Sequence, residues 1–225
     1  MRSRSLAPTA GHAGPLGHLG HLGHLGHAGY VGRLARAGLL GALALLAAAC
    51  GGPKAPSTVV TELAAGPPGT TTIVAFTDYE CPYCRSTHLE LSKAILGGPP
   101  VRIVRHHVPL PSHPHADLAA RAAICAESLG ARMDRMDDAL FTAGSSGLHA
   151  AACEDAAADA GVADRDAFKA CLHSASTDER LRRDLAVYAE AGSGGVPLTY
   201  VGKRRFEGAQ DAPTFREAIA EAARK

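Results

Sequence analysis

Two cysteines, Cys81 and Cys84, are separated by two residues and stand where a strand-like run gives way to a helix-like run. The strand-like run covers residues 72–77, and the helix-like run covers residues 85–95. A cysteine at the N-terminus of a helix lies beside unpaired backbone N–H groups, which favour its thiolate and lower its pKa. We therefore expect Cys81 to be a nucleophile, and Cys84, one turn further along, to close a disulfide with it.

The flanking segments predict the frame that holds this pair. Residues 70–77 are β-branched and apolar, follow a Pro-Pro-Gly sequence and are typical of a buried strand. Pro82 suits the first turn of a helix, where its missing N–H costs no hydrogen bond. A Gly-Gly-Pro-Pro sequence at 97–100 ends that helix, and residues 101–108 predict a second strand, which completes a βαβ unit. The basic side chains and histidines at 102–107 predict that this second strand is a solvated edge.

The C-terminal part of the chain predicts a hairpin and a last helix. The strand at 195–204 begins around Pro197, and residues 205–208 form the returning strand. Asp211 then begins a helix whose apolar residues are spaced for one face. Between the two strand regions, residues 113–192 carry several apolar helical faces.

Composition and charge narrow the classes of function. The chain has 225 residues and a formal net charge of +1, which gives no basis for binding a nucleic acid. Six cysteines are unusual in a reducing cytosol and are typical of an exported protein. About 175 residues remain after removal of the leader described next, enough for one domain with an insertion.

Residues 1–49 predict a leader that the mature protein does not keep. Its first part, residues 1–30, is low-complexity Gly, His, Leu and Ala sequence. Histidines recur there every three residues, at His18, His21, His24 and His27. We interpret this repeat as compositional bias, with a metal-binding tract as the alternative.

Residues 31–49 predict a bacterial export signal. Two arginines precede an unbroken Ala, Gly and Leu run of signal-peptide length, which ends just before Cys50. The pattern resembles a lipoprotein signal and predicts that Cys50 is lipidated, with ordinary cleavage after Ala49 as the alternative. Both interpretations place the protein outside the cytoplasm. Residues 50–69, rich in Pro, Gly, Ser and Thr, predict a flexible tether, with a short strand at 59–63.

Five motifs resemble, in sequence and in order, those of DsbA-like thiol:disulfide oxidoreductases of the thioredoxin superfamily: FTDYECPYC at 76–84, HPHA at 113–116, FKACL at 168–172, GVP at 195–197 and FEGAQ at 206–210. The resemblance covers residues 70–225. A lone Cys-x-x-Cys is weak evidence, but the preceding strand and the distant Val-Pro make it specific. The resemblance implies an α/β, thioredoxin-like fold with an inserted helical domain. Residues 70–112 and 193–225 would form the thioredoxin-like domain, and residues 113–192 the insertion.

The resemblance also assigns roles to the residues of the Cys-Pro-Tyr-Cys segment. Cys81 is expected to be the attacking, solvent-reachable thiol, and Cys84 the buried resolving thiol. Pro82 and Tyr83, which stand between them, are expected to tune the stability of the thiolate and therefore the redox potential.

A second part of the expected site comes from the distant Val-Pro pair. Pro197 is expected to be a cis-proline facing the active-site disulfide, with the backbone of Val196 offered to an extended substrate peptide. One departure from the family pattern is Ala75, which occupies the place where relatives hold a buried carboxylate that assists proton transfer. Asp78 and Glu80 are the two candidates to replace that carboxylate.

Three further cysteines, Cys125, Cys153 and Cys171, fall in the predicted insertion. Spacing alone allows any of the three pairs, and it also allows three buried, unpaired thiols. The resemblance favours a structural disulfide between Cys125 and Cys171, with Cys153 free. Nearby, His113 and His115 are interpreted as residues at the entry to a helix, with metal ligands or a proton shuttle as alternatives.

Together these features predict a lipid-anchored, extracytoplasmic thiol:disulfide oxidoreductase of the cell envelope that uses Cys81 and Cys84 and needs no cofactor or metal. Its expected partners are exported thiol-containing proteins and a membrane redox partner that reoxidises or reduces it. The oxidase direction is favoured, and a disulfide reductase or isomerase of the same fold is the alternative. A non-catalytic metal-handling protein is a further alternative, although no second ligand pair stands at a fitting spacing.

Overall fold

The computed structural model describes residues 54–224, so the predicted leader, the export signal and Cys50 lie outside the described residues. The described elements follow one another in this order: α1 (Ser57–Ala64), β1 (Thr71–Thr77), α2 (Pro82–Ile95), β2 (Val101–His107), α3 (Ala116–Ser128), α4 (Met133–Gly147), α5 (Ala150–Asp159), α6 (Arg165–Leu172), α7 (Ala175–Ala191), β3 (Leu198–Val201), β4 (Arg204–Glu207) and α8 (Ala212–Ala223). In this part of the chain, none of the helices combines the length and the apolar character needed to cross a membrane.

The four strands form one mixed sheet in the order β2-β1-β3-β4. Strands β1 and β2 are parallel, with Thr71 opposite Val101. Strand β3 runs antiparallel to β1, with Ala75 opposite Thr199, and β4 runs antiparallel to β3. The parallel pair confirms the predicted βαβ unit, since α2 connects the two strands.

Helices cover both faces of the sheet, and every residue of β1 is buried as a result. On one face, Ile73 belongs to a core that also contains residues of α2 and α8, among them Leu91 and Phe215. On the other face, Val74 and Phe76 pack with residues of α1 and α7. An apolar strand without polar alternation is what burial on two faces requires.

The helical insertion lies between β2 and β3, as the resemblance implied, and the fold is the expected thioredoxin-like α/β type. Helices α3 to α6 have their own core, which contains Met136 and Phe168. That core extends to Tyr79 and Cys81, so the insertion packs directly on the turn that carries the cysteines. The last inserted helix, α7, returns to the sheet and buries Val187 against it.

The N-terminal helix α1 differs from the sequence-based prediction. The flexible tether predicted for residues 50–69 is wrong for residues 57–64, and so is the short strand at 59–63. Val59 is fully buried, and Leu63, four residues later, packs against the same core cluster. Apolar residues spaced by four share one helical face, which the surrounding Pro, Gly and Thr residues obscured.

Strand β2 is an edge of the sheet and Arg102 is exposed there, but the prediction of a solvated edge is wrong for Arg105, His106 and His107. His106 is 4% exposed and contacts Asp184 of α7 at 2.9 Å and Glu62 of α1 at 2.8 Å. Arg105 pairs with Asp137 of α4 at 2.9 Å. Carboxylates from the flanking helices therefore satisfy the basic side chains that the alternating pattern assigned to solvent.

The C-terminal hairpin and helix confirm their predictions. Strands β3 and β4 are joined at Gly202, whose φ of +57° is a conformation that glycine adopts without steric cost. Asp211 is the N-cap of α8, and its side chain accepts a hydrogen bond of 3.0 Å from the backbone N–H of Thr214.

Candidate active site

Cys81 occupies the N-cap position of α2, and Pro82 is the first residue of the helix. The Cys81 sulfur accepts a hydrogen bond from the Cys84 thiol and further ones from the backbone N–H groups of Cys84 and Tyr83. These bonds lower the pKa of Cys81 to about 6, although burial and the nearby charge of Asp78 oppose them. Cys81 is therefore a thiolate for the most part at neutral pH.

Cys84 has the opposite character. It is 1% exposed, and burial together with its hydrogen bond to Cys81 raises its pKa far above that of an ordinary thiol. The backbone N–H of Asp78 lies 3.5 Å from the Cys84 sulfur. Two neighbouring thiols thus differ sharply in acidity, so that a thiolate at Cys81 faces a protonated thiol at Cys84.

The loop before β3 lies across from this pair. The Val196–Pro197 peptide bond is cis, and the carbonyl oxygen of Val196 lies 4.0 Å from the Cys81 sulfur. Pro197 and Cys84 both line one small cavity. The structure therefore brings together both cysteines and the Val-Pro pair, which lie more than 110 residues apart in the sequence.

Cys81 is less accessible than the resemblance implied. Its exposed fraction is 4%, because Val196 lies over the sulfur and the core of the insertion packs against the same turn. Tyr83, by contrast, is 66% exposed and forms an apolar surface beside the site.

Ala75 is uncharged and occupies the position at which relatives hold a buried carboxylate. Ala75 and Cys84 line a cavity of about 10 Å³, together with Thr87 and Thr199. Within the described chain, the hydroxyl groups of these two threonines have no hydrogen-bond partner. A cavity of this size has room for about one water molecule.

Asp78 and Glu80, the two candidates to replace that carboxylate, are each paired with a histidine. Asp78 contacts the His113 Nδ1 atom at 2.7 Å, and Glu80 contacts the His115 Nδ1 atom at 3.2 Å. Asp78 is buried, and its charge raises the pKa of Cys81. His113 and His115 do precede helix α3, as predicted, and they also contact the two carboxylates that precede Cys81 in the sequence.

A polar network beneath the site was not anticipated. The Tyr79 hydroxyl donates a hydrogen bond of 2.7 Å to Asp137, which also pairs with Arg105. Arg105 lies 3.3 Å from His88, which in turn contacts Asp138 at 2.6 Å. These groups come from α2, α4, β2 and the turn before Cys81, and no local sequence pattern connects them.

Cys125 and Cys171 form a disulfide that joins α3 to the end of α6, and this is the pair that the resemblance favoured. Cys153 is a free thiol and is fully buried. Burial raises the pKa of Cys153 to about 11, which makes this thiol unreactive at neutral pH. Among the described residues, no group of three or more His, Cys, Asp or Glu side chains is arranged to hold a metal ion.

The sequence model of the thioredoxin family matches residues 57–221, which is most of the chain. Among solved structures, DsbA2 of Pseudomonas aeruginosa is 25% identical and superposes with a TM-score of 0.55, covering 68% of this chain and 89% of that one. A periplasmic thioredoxin-like protein of Salmonella enterica serovar Typhimurium is 21% identical with a TM-score of 0.60, covering 76% of this chain and 99% of that one. The similarity to the Salmonella protein shows that the two chains share a fold.

A curated relative is a Na(+)/H(+) antiporter NhaA of Herminiimonas arsenicoxydans, which is 36% identical over 161 residues. The match covers 68% of this chain and 24% of the antiporter, so the chain spans about a quarter of the length of this relative. Two further antiporters match over 22% and 23% of their lengths. The family model, the inserted helices and the likeness to DsbA2 agree with one another. The chain therefore belongs to the thioredoxin family, and its inserted helices make it similar to the DsbA-like members of that family.

Proposed function

We propose that this protein is an extracytoplasmic thiol:disulfide oxidoreductase that exchanges disulfides with exported proteins and acts mainly as an oxidase. The observation that carries the proposal is the contrast between the two active-site thiols. The pKa of Cys81 is lowered to about 6, whereas that of Cys84 is strongly raised. A stabilised thiolate favours the reduced form of the protein, and a protein whose reduced form is stabilised is a strong oxidant.

The proposed reaction begins with a disulfide between Cys81 and Cys84. A substrate thiolate attacks the Cys81 sulfur, a mixed disulfide forms, and Cys84 leaves as a thiolate that takes up a proton from water. A second substrate thiolate then attacks the substrate's own sulfur in the mixed disulfide and releases Cys81 as a thiolate. The substrate gains one disulfide, and the protein leaves with two reduced cysteines.

The surroundings of Cys81 support an extended polypeptide as the substrate. The Val196 carbonyl lies beside the Cys81 sulfur and is placed to accept a backbone hydrogen bond from an extended chain. The exposed ring of Tyr83, two residues after Cys81, offers an apolar contact. Recognition through the backbone suits an enzyme that acts on many exported proteins.

Repeated turnover requires a second redox reaction. If the protein oxidises its substrates, a membrane partner must accept the two electrons and restore the Cys81–Cys84 disulfide. If it reduces them, a membrane partner must deliver electrons. Both directions use the same residues. The redox potential of the Cys81–Cys84 couple, compared with that of the compartment, decides between them.

The location outside the cytoplasm is supported by three observations. The sequence predicts an export signal that ends at Cys50, the Cys125–Cys171 disulfide suits an oxidising compartment, and a protein with the same fold is periplasmic. We further propose that Cys50 carries a lipid anchor. Metabolic labelling with a fatty acid tests this, because a Cys50→Ala variant should lose the label while the wild type keeps it.

A redox titration of the Cys81–Cys84 couple against glutathione tests the direction of the reaction. We expect a potential above about −200 mV, toward the oxidising end of the thioredoxin superfamily. A potential near that of thioredoxin, about −270 mV, would instead favour the alternative that the protein is a reductase. An assay of dithiol oxidation, run beside a copper titration, distinguishes the oxidase and reductase functions from a metal-handling role. The Cys81→Ser variant should lose exchange activity completely.

A further inference from the structure

The carboxylate of Asp78 lies beside the active site and cannot turn away from it. Asp78 is 2% exposed, and its two carboxylate oxygens accept hydrogen bonds from the backbone N–H groups of Glu80 at 2.7 Å and Leu110 at 2.9 Å. Its own backbone carbonyl accepts a hydrogen bond of 3.2 Å from the N–H of Cys81. The same residue thus shapes the turn that carries the nucleophile and places a negative charge next to it.

That negative charge works against the chemistry of the site. A carboxylate close to a thiol disfavours the thiolate, and Asp78 raises the pKa of Cys81 accordingly. The two backbone N–H groups that bind Asp78 are neutral donors, so they hold the carboxylate without cancelling its charge. A cation held beside Asp78 would offset this effect and stabilise the thiolate at Cys81 further.

His113 is placed to be that group. Its Nδ1 atom lies 2.7 Å from Asp78, and its side chain is 22% exposed, so the ring is held at the rim of the site. The hydrogen bond to Asp78 raises the pKa of His113, and the nearby negative charges of Cys81 and Glu80 raise it further. When it is protonated, the imidazole of His113 adds one positive charge beside the negative charge of Asp78.

We propose that His113 is a positioning residue that keeps Cys81 reactive by neutralising the carboxylate of Asp78. The inference rests on the proposed exchange function, and it assigns to the loop before α3 a part in setting the redox potential. His113 acts through Asp78 and does not touch the substrate sulfur. In this arrangement Asp78 supplies the geometry of the turn, and His113 removes the electrostatic penalty that Asp78 would otherwise place on the thiolate.

The chain contains a matched control two residues further along. His115 contacts Glu80 at 3.2 Å in a second carboxylate–imidazole pair, and its side chain is 44% exposed. The backbone N–H of His115 also binds Glu80, at 2.7 Å. The two histidines therefore share a loop, a residue type and a carboxylate partner, and they differ in which carboxylate they neutralise.

The experiment measures the pKa of Cys81 in the full chain by the ultraviolet absorbance of its thiolate, for the wild type and for His113→Asn, His115→Asn and Asp78→Asn/His113→Asn variants. Asparagine keeps a hydrogen-bond donor near the position of Nδ1 but carries no charge. We expect the pKa of Cys81 to rise by about one unit in His113→Asn, which makes alkylation at low pH about tenfold slower. It should stay near the wild-type value in His115→Asn and return to that value or below it in the double variant.

An unchanged pKa of Cys81 in His113→Asn overturns the inference, and so does a double variant that keeps the full rise. If His113→Asn does not fold, the Asp78→Asn variant carries the test: the pKa of Cys81 should then be at or below that of the wild type, and a higher value overturns the inference. Failure of the proposed function looks different, because the wild type itself would then lack dithiol-exchange activity.

Discussion

The Nδ1 atom of His106 lies 2.9 Å from a carboxylate oxygen of Asp184, and this contact joins the edge of the sheet to the last helix of the insertion. The Nε2 atom of the same ring lies 2.8 Å from Glu62, so one imidazole also holds the N-terminal helix α1. Asp184 further accepts a hydrogen bond from the backbone N–H of His107. A single titratable ring therefore connects three parts of the fold.

We expect this ring to make the stability of the protein depend on pH. Burial opposes the charge of His106, but the hydrogen bonds to Asp184 and Glu62 outweigh it and raise its pKa from 6.5 to about 9. Because the folded pKa is the higher one, the contribution is fully present below about pH 6.5 and is lost as the pH rises through 9. Urea denaturation of the wild type and of His106→Gln should show a gap in the free energy of unfolding at pH 6 that narrows above pH 9. An equal gap at both pH values would contradict this.

The acidity of Cys81 should depend on its neighbour Cys84. The hydrogen bond from the Cys84 thiol is the largest of the contributions that lower the pKa of Cys81 to about 6. In Cys84→Ala this donor is gone, and we expect the pKa of Cys81 to rise toward the ordinary value of about 8.5, while the helix N–H groups keep it below that value. The pH dependence of the iodoacetamide reaction measures the change. Cys153, which is buried and has a pKa of about 11, should not react in either protein. If the pH profile of the iodoacetamide reaction in Cys84→Ala is identical to that of the wild type, the hydrogen bond does not lower the pKa of Cys81.

The cysteine pair and the Val196–Pro197 loop were predictable because their chemistry restricts the sequence. A reactive thiol needs a strand, a helix N-terminus and a second cysteine at one spacing, and a βαβ unit leaves few other ways to arrange them. The loop was found through the family resemblance, since nothing local connects it to Cys81. Its distance of 4.0 Å from the Cys81 sulfur is a property of the folded chain.

The partners of the buried charges were not predictable from the sequence. Arg105 and His106 read as a solvated edge because the carboxylates that satisfy them, Asp137 and Asp184, lie 32 and 78 residues further along. Helix α1 is not predicted for a related reason, since tertiary contacts, namely the packing of Val59 and Leu63 and the contact of Glu62 with His106, stabilise a short helix between proline-rich flanks. Tertiary contacts determine both the burial of these basic side chains and the formation of helix α1, and local sequence patterns do not encode such contacts.

The disulfide between Cys125 and Cys171 should stabilise the insertion without taking part in exchange. It closes a loop with a sequence separation of 46, for which the loss of chain entropy in the unfolded state corresponds to about 4 kcal/mol. We expect a Cys125→Ala/Cys171→Ala variant to lose stability of that order and to keep the pKa of Cys81. Urea denaturation and the iodoacetamide profile measure the two effects. A variant as stable as the wild type, or one with a shifted Cys81 profile, would show that the disulfide has another role.

The buried pair of Arg105 and Asp137 should behave as one unit. The two side chains are 10% and 6% exposed, and Asp137 also binds the Tyr79 hydroxyl in the turn before Cys81. Arg105→Met leaves a buried carboxylate without its cation, and we expect a loss of about 3–5 kcal/mol in the free energy of unfolding. Adding Asp137→Asn to that variant should recover part of the loss, because it removes the uncompensated charge, with a coupling energy of about 1–3 kcal/mol.

An exposed ion pair in the same region supplies the control for this cycle. Arg132 and Asp134 are 61% and 63% exposed, so the change Arg132→Met should leave the unfolding midpoint in urea unchanged. Purely additive effects of Arg105→Met and Asp137→Asn would mean that the two buried groups stabilise the fold independently. Coupling, in contrast, would show that α4 of the insertion is held to β2 by a charge pair, directly beneath the turn that positions the nucleophile.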